Sequence, residues 1–231
     1  MTIWLRFTKL LGDGVGAMGG VIDRIGSRFA GDPHERRHMA FSIAIVALSA
    51  KMAMADGVVT FDEVAAFKRL VDFPQSQARH IERLFDLARR DVAGYEAYAA
   101  KIAALYESED PILADIVDAL FEIARADSLV HESEIAYLAD VARAFGLSDE
   151  VFERVKARHV VPEEGDPYLI LGLDRALSFA DLRAAYRRLV AEHHPDKLLA
   201  RGVPSEFVAV ANHRLAAINV AWGRIEKERR Q

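Results

Sequence analysis

One short run, His194-Pro195-Asp196-Lys197, brings an imidazole, a carboxylate and an amine together around a proline. Proline stops a helix because it lacks the backbone N–H and its ring clashes with the preceding turn. The flanking polar side chains are therefore predicted to lie exposed on a loop. Nothing in the sequence resembles a catalytic triad, so the run is not predicted to be a catalytic site.

Three arginines precede this run on one predicted helix. Arg183 and Arg187 lie four residues apart and so share a helix face, and Arg188 stands beside them. The same helix carries apolar Leu182 and Leu189 for packing. The spacing therefore predicts a positively charged face on this helix.

A second group of candidate residues is acidic and repeated. When the sequence is shifted by 71 residues against itself, Asp56 and Glu63 align with Asp127 and Glu134. Each pair places two carboxylates near one helix-to-helix turn. Oxygen ligands suit hard cations, but two carboxylates supply only part of the shell that Ca²⁺ takes. The pattern predicts a related pair of weak Ca²⁺ or Mg²⁺ sites and no other cofactor.

A structural explanation for these acids stays open. Thr60 and Glu63 have the spacing of a capping box, in which the glutamate closes the start of a helix. The second copy has His131 in place of that threonine, which argues against a capping role common to both.

Composition excludes several classes of function. The chain has 231 residues, no cysteine and a formal net charge of -5, so thiol chemistry is excluded. Residues 32–162 hold 15 Lys and Arg against 23 Asp and Glu. Because an acidic surface repels phosphate backbones, nucleic-acid binding is not predicted. The Walker A pattern of ATPases does not occur, and we predict that the chain is not an enzyme.

Apolar residues recur with helical spacing over residues 33–147, and no run alternates apolar and polar residues as a strand does. The fold class is predicted to be all-α. We divide the chain into a glycine-rich, amphipathic segment (1–31), a helical domain of about seven helices (32–158), a linker (159–165) and a second helical domain (166–231). The glycines of the first segment are expected to decouple it from the rest.

The apolar stretch 39–50 is too short to cross a bilayer and is predicted to be a buried core helix. No cleavable signal layout is present, so the predicted compartment is the cytoplasm. Residues 1–11 have an amphipathic pattern with two cations. This pattern is compatible with peripheral contact at the inner face of a membrane, but we favour packing against the helical domain or another subunit.

The C-terminal region resembles a J domain from end to end. The resemblance rests on Asp166-Pro167-Tyr168, Leu171-Gly172-Leu173, Tyr186-Arg187-Arg188-Leu189, His194-Pro195-Asp196-Lys197, Ile218-Asn219 and Ala221-Trp222. It implies an antiparallel helical hairpin that docks on the ATPase of a DnaK-type chaperone. The implied contact residues are His194, Pro195, Asp196, Lys197, Arg183, Arg187 and Arg188.

Residues 198–204 are similar to the DjlA-type subgroup of J proteins, which carry a TerB-like helical domain before a C-terminal J domain. Residues 32–158 resemble that domain through Ala55-Asp56-Gly57 and Ala126-Asp127. The resemblance implies a co-chaperone that stimulates ATP hydrolysis by its partner, with the TerB-like domain as a targeting or interaction module for an unknown client protein. The alternative is a divalent-metal sensor or scaffold in which the J domain is a secondary output.

Overall fold

A computed structural model describes residues 18–28, 32–52, 71, 78–91, 94–107, 110–125, 130–160 and 165–230. The first seven described helices are α1 (Met18–Arg28), α2 (Pro33–Met52), α3 (Ala78–Arg90), α4 (Tyr95–Ala103), α5 (Pro111–Arg125), α6 (Glu132–Ala144) and α7 (Asp149–His159). They are followed by α8 (Pro167–Leu171), α9 (Phe179–Glu192), α10 (Pro195–Arg201), a 3-10 turn (Ser205–Phe207) and α11 (Val208–Arg229). No strand occurs in these ranges, and the all-α prediction is confirmed.

The centre of the first domain is α2. Every residue from Met39 to Ala50 is buried, so this helix is apolar around its whole circumference, as a core helix must be. It contacts α1, α3, α4 and α5. The prediction of a buried core helix for residues 39–50 is confirmed. None of the described helices combines the length and the apolar character needed to span a bilayer.

Helix α1 belongs to the same core. Val21, Ile22 and Ile25 are at most 1% exposed and pack in the cluster that contains α2. Asp23 on its outer side pairs with Lys101 of α4, with 2.6 Å between Oδ2 and Nζ. The expectation that residues 1–31 are decoupled is therefore wrong for residues 18–28, because the apolar side of α1 is fully buried.

In the C-terminal region α9 and α11 pack antiparallel. Near the start of α9, Phe179 stacks on Trp222, while the residue that follows its end, His193, contacts Arg214 early in α11. Between these ends the Tyr186 ring stacks on Trp222 at 4.7 Å. The predicted antiparallel hairpin is present, and its core holds Leu182, Ile218 and Ile225, each at most 1% exposed.

The two regions share one apolar core near the end of α10. Phe207 packs edge-to-face on Phe41 of α2, with 5.1 Å between ring centroids. Gly202 closes α10 with a φ of 106°, and a Cβ at this position would lie 2.7 Å from Cβ of Arg37 in α2. Only glycine fits both the left-handed backbone and this close approach. Leu198, Val203, Val210 and Ala211 join the core of the first domain in the same way.

Candidate functional site

The His-Pro-Asp run forms the junction between two helices. Helix α9 ends at Glu192 and α10 begins at Pro195, so only His193 and His194 separate them. His194 caps α10, because its Nδ1 accepts a hydrogen bond from the backbone N–H of Asp196 at 3.3 Å. The proline therefore ends one helix and also starts the next, where its fixed φ suits the first helical position.

Both polar groups of the run face solvent. The side chains of His194 and Asp196 are 53% and 85% exposed, and His194 Nδ1 lies 3.4 Å from Asp196 Oδ2. Asp196 stands in the first turn of α10, where the helix dipole stabilises a negative charge. Lys197 is exposed beside it. An approaching protein can reach an imidazole, a carboxylate and an ammonium group at one corner.

The three arginines of α9 are also exposed. None of Arg183, Arg187 and Arg188 forms an ion pair with another described residue, whereas Leu182 and Ala185 of the same helix are buried. Their charges are therefore uncompensated on an open helix face. The structure places the seven predicted contact residues on α9, the junction and α10.

A cluster of buried charges joins the first domain to this hairpin. Asp118 of α5 is fully buried, and its Oδ2 accepts a hydrogen bond from Nε of Arg214 in α11 at 2.7 Å. Its Oδ1 accepts bonds from Nε and Nη2 of Arg158 at 3.0 and 2.8 Å. Nη1 of Arg214 donates to Asp115 at 2.5 Å. The buried ion cluster consists of Asp115, Asp118, Glu122, Arg158, His159 and Arg214.

The cluster reaches the exposed junction through Arg214. Its Nη1 lies 3.1 Å from Nδ1 of His193, the residue directly before His194. Arg201, at the end of α10, places Nη1 3.4 Å from Asp115 and donates another bond to the backbone carbonyl of Glu192. Two carboxylates of α5 thus hold the arginine side chains that contact the α9 end of the junction.

Residues 42–157 match the family described as tellurite resistance protein TerB. The chain belongs to the TerB family. It matches the co-chaperone protein DjlA of Photobacterium profundum with 26% identity over 221 residues, which cover 84% of this chain and 80% of the relative. DjlA of Vibrio vulnificus strain YJ016 is 26% identical over 234 residues, covering 86% and 82%. No solved structure matches the chain.

A shorter match is stronger per residue. DjlA of Coxiella burnetii is 41% identical over 64 residues, which are 28% of this chain and 24% of the relative. A TerB domain followed by the helical hairpin with its His-Pro-Asp junction makes the chain a DjlA-like J-domain protein, as the sequence predicted.

Charge pairing between the TerB domain and the J domain shifts several pKa values. Burial alone would raise the pKa of Asp118, but Arg214 and Arg158 hold it well below its usual range. Burial lowers the pKa of His159, yet Asp118 and Glu122 outweigh it and raise the net value. For His193, burial and the neighbouring Arg214 lower the pKa to about 3, so this imidazole is neutral at pH 7.

These shifts predict a pH dependence of stability. The raised pKa of His159 favours its protonated form in the folded chain, so its contribution is complete below the unfolded value of 6.5 and is lost as the pH rises through the folded value. His193 has a lowered pKa and costs stability only as the pH falls below 6.5. Above pH 6.5, the free energy of unfolding of the wild type should decrease as the pH rises, and His159→Gln should make this decrease smaller. Urea denaturation at several pH values measures both slopes. Equal slopes for both proteins would contradict the assignment.

The acids of α5 were not among the residues predicted from the sequence. Asp115, Asp118 and Glu122 have the spacing i, i+3, i+7, which puts three carboxylates on one face of an otherwise apolar helix. That pattern was a usable signal for a buried charged contact. The partner Arg214, 96 residues beyond Asp118, gave no local signal. The predicted linker also begins within this contact, because His159 is the last residue of α7 and is buried.

Of the four predicted metal ligands, the structure describes Glu134. Asp56, Glu63 and Asp127 lie outside the described residues. The carboxylate of Glu134 accepts a hydrogen bond from the backbone N–H of His131 at 2.8 Å and so closes the start of α6. Glu134 therefore caps α6, contrary to the expectation drawn from His131. Within the described ranges no group of three or more His, Asp and Glu is placed to hold a metal ion, and Ca²⁺ or Mg²⁺ binding stays a prediction.

Proposed function

We propose that the chain is a co-chaperone whose J domain docks on a DnaK-type chaperone and stimulates its ATP hydrolysis. The observation that carries the proposal is the exposed pair of His194 and Asp196 at the α9–α10 junction. The names of the relatives agree with it, since they are co-chaperones that cover most of the chain. The TerB domain serves as the targeting or interaction module for a client protein.

The chemistry of this function belongs to the partner. Asp196 offers a solvent-facing carboxylate to an arginine of the chaperone, and a charge-assisted pair of this kind fixes orientation as well as affinity. Pro195 sets the backbone of the junction, and Lys197 adds a positive charge at its edge. The arginines of α9 steer an acidic surface of the chaperone toward the junction. The chain itself hydrolyses no nucleotide in this proposal.

The decisive experiment is single-turnover ATP hydrolysis by the DnaK-type chaperone of the same cell. A preformed complex of chaperone and radiolabelled ATP is mixed with increasing amounts of the full chain, and the hydrolysis rate is followed. The proposal expects a rate that rises and then saturates with added protein. An unchanged rate at saturating protein would reject the co-chaperone function.

Charge reversal on α9 is expected to weaken docking. Arg183→Glu together with Arg187→Glu should lower the affinity for the chaperone roughly tenfold or more, because facing like charges cost several kcal/mol. Wild-type binding should also weaken with added salt, since the charges are exposed and screened. Isothermal titration calorimetry at two salt concentrations measures both effects. Salt-independent binding that survives the double reversal would show that α9 is not the docking face.

Two earlier expectations remain proposals for the same protein. Residues 1–11, whose amphipathic pattern is compatible with peripheral membrane contact, lie outside the described residues. The proposed compartment is the cytoplasm.

The divalent-metal sensor remains the alternative function. A rise of the thermal midpoint with Ca²⁺ or Mg²⁺ at constant ionic strength, lost in Asp56→Asn with Asp127→Asn, would favour that alternative.

A further inference from the structure

A groove runs between the two domains beside the α9–α10 junction. Its volume is about 750 Å³. The TerB domain contributes Pro111 at the start of α5 and Arg154 of α7, and the J domain contributes Arg188, Glu192 and Lys197 among others. The groove is therefore built from both domains and includes two of the predicted contact residues.

The groove carries a positive charge that the chain does not compensate. Arg201 in its wall is paired with Asp115, which also pairs with Arg214, and the low pKa of His193 leaves that imidazole uncharged. Arg188 and Lys197 form no ion pair within the described residues. Three cations, including Arg154, thus face the single carboxylate of Glu192.

Arg154 is held in place but poorly paired. Its guanidinium packs against the backbone of Gly172 at the end of α8, where even a Cβ would lie 2.6 Å from Nε. The Nε finds no hydrogen-bond partner, and Nη2 reaches only Glu150 of the same helix at 3.5 Å, whose side chain is 83% exposed. A solvent-exposed pair of this kind contributes little. The side chain of Arg154 is 32% exposed, so its terminal nitrogens remain available to a ligand although Nε itself is buried.

The shape of the groove is fixed before anything binds. The buried ion cluster and the shared apolar core, with Phe207 against Phe41, hold the J domain on the TerB domain. A ligand that enters meets a formed surface, so little affinity is lost to ordering the two domains.

We propose that this groove is part of the chaperone-docking surface and receives an acidic segment of the DnaK-type chaperone. The proposal rests on the proposed function. Charge complementarity selects an acidic segment, and Pro111 and Leu189 give its apolar side chains a surface to contact. The chaperone is the occupant because the groove wall is continuous with the junction: His193 lines the groove and His194 follows it in the chain. Arg154 then makes the TerB domain a direct part of docking.

The test compares variants of the full chain for affinity to the chaperone in the presence of ATP. Arg154→Glu is expected to weaken binding on the order of tenfold, and Arg154→Met, which keeps an apolar stem, about two- to fivefold. Arg154→Lys keeps the charge and should stay close to wild type. The matched control is Arg143→Glu, an equal charge change at a 75% exposed arginine of α6 that does not line the groove. Thermal melts verify that each variant is folded.

The outcomes separate the groove from the proposed function. Weaker binding of Arg154→Glu and Arg154→Met, with Arg143→Glu unchanged, supports the groove. Unchanged affinity of folded Arg154→Met overturns it, even while Asp196→Asn still abolishes stimulation and so preserves the proposed function. An equal loss of affinity in Arg143→Glu would show that only the net charge of the chain matters, and this result would also overturn the groove proposal. Competition by inorganic phosphate without any effect of Arg154 on chaperone affinity would assign the groove to free anions instead.

Discussion

Asp118→Asn is expected to lower the free energy of unfolding by about 3–5 kcal/mol, because it removes the charge from one side of a buried ion cluster. The carboxylate is fully buried and accepts hydrogen bonds from Arg158 and Arg214. An asparagine of the same shape has one acceptor oxygen and turns its own N–H groups toward these donors. Chemical denaturation at pH 7, where the wild-type carboxylate is ionised, measures the loss.

The matched control is Asp86→Asn. This carboxylate is 56% exposed and lies 3.7 Å from Nη1 of Arg89. Exposed pairs of this kind contribute about 0–1 kcal/mol, so the control should unfold almost like the wild type. Equal losses for the two variants would show that the cluster at Asp118 is no more important than a surface ion pair.

Asp196→Asn is expected to abolish the stimulation of ATP hydrolysis while leaving the fold intact. Its carboxylate is 85% exposed, so its removal opens no cavity and leaves no buried charge unpaired. The favourable interaction with the α10 dipole and the exposed contact with His194 are lost, and each contributes at most about 1 kcal/mol. Single-turnover hydrolysis and a thermal melt on the same sample measure both effects.

The control for this variant is Glu226→Gln on α11, which neutralises a carboxylate that forms an ion pair with Arg230, four residues further along the helix. It should stimulate like the wild type. His194→Gln should also lose stimulation, but with an added cost of about 1 kcal/mol, because His194 caps α10. Full stimulation of ATP hydrolysis by Asp196→Asn would show that the junction is not part of the docking surface.

The sequence was sufficient for features that are local. Helical periodicity predicted the all-α class, and the uncharged run of residues 39–50 predicted the core helix within α2. The exposure of the His-Pro-Asp run followed from the proline. Each of these properties is decided by neighbours within a few turns of chain, which is the range that periodicity and capping rules cover.

Features that depend on distant residues could not be predicted in the same way. Glycines around α1 suggested a free segment, but burial of Val21, Ile22 and Ile25 is decided by the apolar side of α2 and α4. The pairing of Asp118 with Arg214 crosses 96 residues and a domain boundary. The spacing of the acids on α5 indicated a charged contact, but nothing near Arg214 in the sequence distinguishes it from a surface arginine until the fold places it against them.

The buried ion cluster limits how these two domains can be exchanged. Replacing the whole set of charges by apolar residues can be neutral or stabilising, whereas losing one side leaves the other buried and unpaired. A chimaera that joins this TerB domain to a J domain of other origin inherits Asp115 and Asp118 without Arg214. The two buried carboxylates then face a residue that need not carry the positive charge of Arg214. The stability of the TerB domain and that of the J domain are consequently linked in this chain, although their sequences look like two separate modules.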